Sequence, residues 1–164
     1  MVKEKIVRLL NKQLNHELSS SYLYLSMSSY FETEKLSGFA AWMKIQSQEE
    51  YKHAMKLYDY VLQVNEQVVL QKIEAPINKW TSPLNVFQET YKHEKQITAS
   101  IDELVEAALT EKDYATFNFL QWFITEQVEE EAAALLILDK IKLIGDNKTG
   151  LFFLDREMAG RARS

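Results

Sequence analysis

The sequence predicts an all-α fold: four long helices in a bundle, a long crossover between the second and third, and a short fifth helix at the C-terminus. Three observations carry this. The 164 residues contain only 4 Gly and 2 Pro, too few breakers for many short strands. Apolar residues recur at helical spacing through four long stretches. In each stretch an acidic residue stands near mid-length inside the apolar stripe, so four carboxylates would meet at one level of a bundle.

The first helix is expected from Glu4 to about Glu34. Ile6, Leu10, Glu17, Tyr24, Met27 and Phe31 share one side, with Gln13 and Ser20 interleaved and Leu14, Leu18 and Leu25 widening the face. Ser37 is a suitable N-cap for a second helix from about Phe39 to Asn65. That helix is roughly 40 Å long and antiparallel to the first. Phe39, Trp42, Met43 and Gln46 precede Glu50 and His53 on its inner face, and Leu57, Tyr60, Val61 and Val64 follow.

Glu66 to Ser82 breaks the rhythm. Val68, Leu70 and Ile73 read as extended, and Pro76 interrupts. Sixteen or so extended residues reach about 50 Å, so the segment can run the length of a helix and set the third parallel to the second. Ser82-Pro83 reads as a cap and first position. The third helix then carries Phe87, Thr90, Glu94, Ile97, Ile101, Leu104 and Ala108 inward to about Thr110. Asp113 caps a fourth helix bearing Phe119, Trp122, Phe123, Gln127, Glu130, Ala133, Ala134, Ile137 and Ile141, stopped at Gly145. A fifth, about Lys148 to Ala159, has an apolar side (Leu151 to Leu154, Met158) that must be covered by the bundle or by other subunits. No stretch divides the core, so residues 1–164 are expected to form one domain.

The composition narrows function. A formal net charge of −5 argues against nucleic acid as a partner. Without cysteine there are no disulfides and no thiolate metal sites. No apolar run approaches the ~20 residues of a membrane span, and the first residues lack a signal-peptide core. A cytoplasmic protein is expected.

Glu49-Glu50 and Glu129-Glu130-Glu131 would each, alone, pass for a solvated helix face. Glu50, however, shares its face with His53, three residues on. A buried unpaired carboxylate costs several kcal/mol, and Glu17, Glu50, Glu94 and Glu130 together carry four negative charges that two divalent cations would balance. Oxygen-rich ligation with one imidazole suits Fe(II) or Mn(II), with Zn(II) able to compete. Glu50 can bridge two ions through its two oxygens. Glu49, Glu126 and Glu129 border the set and could form a further, more exposed position. Tyr24 falls two turns after Glu17, and both core packing and a role beside the metals remain open for it. His16 and His93 read as surface or boundary residues, Lys52 and Glu131 as solvent-facing.

Glu-x-x-His contributions joined by single Glu residues are the ligand pattern of ferritin-like di-metal bundles; here Gln127-Val128-Glu129-Glu130 departs from it. At Asn15-His16-Glu17, Glu49 to Ala54, Tyr91-Lys92-His93-Glu94 and Asn118 to Phe123 running into Glu126 to Glu131, the chain resembles a non-haem ferritin of the bacterial and archaeal kind, over about residues 3 to 160. The resemblance implies one iron on Glu17, Glu50 and His53, a second on Glu50, Glu94 and Glu130, and a third, transient iron on Glu49, Glu126, Glu129 and Glu130. It places Gln127 nearby by hydrogen bonding and implicates Tyr24 and Trp122 in electron supply. It further implies oxidation of paired Fe(II) by dioxygen or peroxide, with Fe(III) stored as mineral in a homo-oligomeric shell of 24 subunits. Bacterioferritins have a haem-binding Met where this chain has Tyr51 and a His in place of Glu130, so no haem is expected. A rubrerythrin-like peroxide reductase without a storage cavity is the second reading. It is disfavoured by the absence of cysteine and by the apolar fifth helix.

Overall fold

The computed structural model describes residues 2–163, the side chains of 162 and 163 excepted. Its helices are α1 (Glu4–Thr33), α2 (Ser37–Gln63), α3 (Pro83–Thr110), α4 (Tyr114–Ile144) and α5 (Lys148–Ala159), followed by a 3-10 turn at Gly160–Arg163. No strand forms among the described residues. The expected all-α bundle, its crossover and its fifth helix are all present.

The caps predicted at Ser82 and Asp113 are in place, and Asn147 adds a third. The Ser82 side chain accepts from the Asn85 N–H, Asp113 from Thr116 and Asn147 from Gly150. Gly145 stops α4 at φ +59°. The other long helices end without glycine: Lys35, Asn65 and Lys112 take the left-handed conformation, and the next N–H turns back to bond Phe31, Val61 and Ala108 carbonyls at 2.8–3.0 Å.

Ser37 is not a cap, contrary to expectation. The helix already begins there, and Leu36 precedes it without a side-chain bond. The orphan N–H of Phe39 is instead satisfied from α5, by Asp155 Oδ1 at 3.0 Å. Gly38 allows this approach, because a Cβ there would lie 1.7 Å from the Asp155 carbonyl oxygen. Gly38→Ala is therefore expected to loosen α5 from α2, at a cost of about 1–3 kcal/mol or more for overpacking against backbone. Thermal unfolding and proteolysis of the last fifteen or so residues would register it.

The crossover runs along α1, held by two buried asparagines one helical turn apart. Asn11 Oδ1 accepts from Val69 N at 2.7 Å and its Nδ2 donates to Gln67 O at 3.1 Å. Asn15 repeats the pattern with Gln71 N and Val69 O, both at 2.9 Å. The side-chain amides supply an extended chain with the partners a neighbouring strand would otherwise give.

Antiparallel register sorts the interior into layers. At one end Phe31, Phe39, Met43, Phe87 and Ile141 form an apolar cluster with their neighbours. At the other, Leu10, Leu57, Val61, Ile101 and Phe123 form a second. Along each long helix the inward-facing residues between these clusters are polar: Glu17, then Gln46, Glu50 and His53, Thr90 and Glu94, and Gln127 and Glu130, all buried. Some residues expected inside are less so: Leu25 is 47% and Trp122 39% exposed, and Leu18, Val64, Phe119 and Ala133 are half-buried.

Candidate metal centre

Glu17, Glu50, His53, Glu94 and Glu130 are each at most 7% exposed. Glu17, Glu50 and His53 offer ligand atoms mutually within 4.8 Å, and so do Glu50, Glu94 and Glu130. Glu50 belongs to both sets. His53 Nδ1 lies 3.4 Å from Glu50 Oε2 and 3.9 Å from Glu17 Oε2.

Three glutamines support the acids. Gln13 Nε2 donates to Glu17 Oε1 at 2.8 Å, and Ser100 Oγ, donating to Gln13 Oε1 at 2.6 Å, fixes which end of that amide faces inward. Gln46 Nε2 donates to Glu50 Oε1 at 3.2 Å and also to Glu130 Oε2. Gln127 Nε2 reaches Glu94 Oε2 at 3.2 Å, and the Tyr24 hydroxyl donates to Glu94 Oε1. Each donor occupies part of an acid's lone-pair capacity and leaves the rest available. Glu17 Oε2 has none: among the described residues it is the buried side-chain oxygen without a hydrogen-bond partner.

Electrostatics say the same. Burial and then the neighbouring Glu50 push the Glu17 carboxyl well above the ordinary range; burial and Glu94 do so for Glu50. Burial raises Glu94 to about 7, and burial with the charge of Glu94 raises Glu130 to about 7. Tyr24 is held protonated by burial and by Glu94. Such a layer, between two apolar clusters, is a poor place for carboxylates and a good one for divalent cations.

Residues 7–144 match the family described as Ferritin-like domain. The bacterial non-heme ferritin of Campylobacter jejuni is 46% identical over 164 residues, covering 100% of this chain and 98% of that one. The chain belongs to the non-haem ferritins. The bacterial non-heme ferritin of Bacteroides fragilis is 47% identical, with 98% and 100% covered. A solved open pore ferritin from the hyperthermophilic archaeon Archaeoglobus fulgidus superimposes with TM-score 0.96 at 52% identity, covering 96% of both chains. Iron storage is the function that this membership carries.

Around the core of this ferritin the outer candidates divide. Glu126 approaches: its Oε1 is 3.5 Å from His53 Nε2, and with His53 and Glu130 it makes a third set of close ligand atoms. Glu49 and Glu129 join none of these sets. Glu49 pairs with Arg161, and Glu129 is exposed. The Trp122 ring stands edge-on to His53, 5.3 Å between centroids, under the Lys56 ammonium at 4.6 Å.

His93 is half-buried, as expected of a boundary residue. Its Nε2 is 2.8 Å from Ser20 Oγ, its ring meets Tyr24 edge-on at 5.8 Å, and burial together with His16 lowers its pKa to about 4. Glu131, expected in solvent, accepts from Thr98 Oγ1 at 2.7 Å. Sequence reasoning missed the roles of Gln13, Ser100 and Arg161. For Gln13 a signal existed, since it sits one turn before Glu17 on the same face.

Proposed function

We propose that this ferritin oxidises Fe(II) in pairs with dioxygen or peroxide at the polar layer, and stores the Fe(III) as mineral inside a shell of 24 copies. One iron takes Glu17, Glu50 and His53, and the other takes Glu50, Glu94 and Glu130. The observation that carries this is Glu50, whose carboxylate is common to both sets of ligand atoms. Iron here is substrate. Two Fe(II) give up one electron each; dioxygen with two protons leaves as hydrogen peroxide, or peroxide with two protons leaves as two waters.

The chain's own groups do the positioning. Glutamine donors keep each acid aimed while lone pairs stay open, and Glu17 Oε2, with no hydrogen bond to break, is ready for a cation. Tyr24 holds Glu94 through a proton it does not readily lose and, with Trp122, stands where it can lend an electron. Glu49, Glu126, Glu129 and Glu130 would receive a third iron on its way out. No haem is required, since Tyr51, 52% exposed, occupies the position after Glu50. Assembly fits the surface: Phe152, Phe153 and Leu143 are 58%, 62% and 89% exposed, an apolar area that subunit contacts would cover.

Particle mass before and after aerobic Fe(II) addition tests the reading. The expected result is a large particle that retains an iron load far above three ions per chain and shows no Soret band. A monomer or dimer retaining only its centre's ions would favour a di-iron redox enzyme without a store.

A further inference from the structure

The end of the chain returns to the centre. The Gly160–Arg163 turn packs on α2, and the Arg161 guanidinium lies over the Trp42 ring, 4.4 Å from its centroid. From there Nη1 donates to Gln46 Oε1 at 3.0 Å and Nη2 to Glu49 Oε2 at 2.6 Å. A guanidinium only donates. It therefore fixes the Gln46 oxygen outward and turns the amide N–H toward Glu50 and Glu130.

Glu49 also lines a groove of about 520 Å³ whose wall includes His53, Trp122 and Glu126. This groove borders the centre on the side of His53 Nε2. The Arg161 and Glu49 side chains are 25% and 36% exposed. An ion pair so placed is partly solvated and individually weak, while stacking on Trp42 keeps the planar fork ready to re-form it.

We propose that Arg161 is a built-in cation at the mouth of the centre: it holds Glu49 against metal, and a divalent ion takes up Glu49 only by displacing it. This rests on reading the buried acids as a metal centre. One carboxylate oxygen cannot serve the guanidinium and a dication at full strength together, so the C-terminal turn sets how tightly an ion is held outside the paired positions.

Anaerobic Co(II) titration of the assembled protein, by calorimetry and visible absorption, tests it. Wild type should take up two ions per chain and a further one more weakly. Arg161→Ala should still take up the first two ions, with any loosening confined to what a freed Gln46 amide allows, and tighten the further step by about tenfold, within the usual range of coupling between sites. Adding Glu49→Gln to Arg161→Ala should abolish that gain. Removing residues 160–164 should reproduce Arg161→Ala, and serves if that variant assembles poorly. A further step unchanged in both, or a gain that survives Glu49→Gln, overturns the proposal. Failure of wild type to bind the first two ions would overturn the centre itself.

Discussion

Glu50→Ala is expected to lower the initial rate of Fe(II) oxidation by more than about 100-fold, because partners one shell further out already cost about 10–100-fold. Glu50 alone belongs to both the set with Glu17 and His53 and the set with Glu94 and Glu130. Removing it therefore deprives both ions of a ligand and separates them electronically. His53→Ala, which spares the set with Glu94 and Glu130, should leave one ion bound and slow the paired step to a similar extent. Glu129→Ala, on an exposed side chain, should change the first turnover little. Stopped-flow absorbance on the three variants separates these outcomes. Equal rates in Glu50→Ala and wild type would remove the paired mechanism.

The second large effect is on stability. In the metal-free protein Glu94 and Glu130 titrate near 7 rather than 4.5, and Glu17 and Glu50 are also raised. The folded chain thus binds more protons than the unfolded one as pH climbs from about 4.5 through about 7, and stability falls across that window. The metal-free protein should melt at a lower temperature at pH 8 than at pH 5.5. Divalent cations do the opposite: they replace the protons and neutralise the repulsion. At pH 8 a free concentration one hundred times Kd should add about 2.7 kcal/mol per site. Thermal melts with and without Zn(II) at the two pH values give the comparison. A melting temperature indifferent to both pH and metal would mean that the acids are not packed together as described.

Much of this was legible because helical register is arithmetic. Glu50 and His53, three residues apart, must share a face, and an acid flanked by Phe87, Ile97 and Ile101 on one stripe must point inward. Local caps were equally readable at Ser82 and Asp113, where side chain and bonded N–H are three residues apart. What failed depended on distant partners. Ser37 looked like a cap, yet the bond to Phe39 comes from Asp155, 116 residues on. Nothing local marked Asn11 and Asn15 for burial, and only the crossover lying on them explains it. The Arg161 guanidinium on Glu49 was equally hidden, since nothing near Glu49 in sequence hints at it. The exposure of Trp122 follows from its place at the groove beside His53, which α4 periodicity could not distinguish from the core.

The most direct measurement is anomalous scattering at the iron edge from crystals soaked anaerobically in Fe(II). Two peaks are expected in the buried layer, one beside Glu17 and His53 and one beside Glu94 and Glu130, with Glu50 between them. Iron found only at exposed carboxylates, with the layer's acids hydrogen-bonded to one another, would contradict the account.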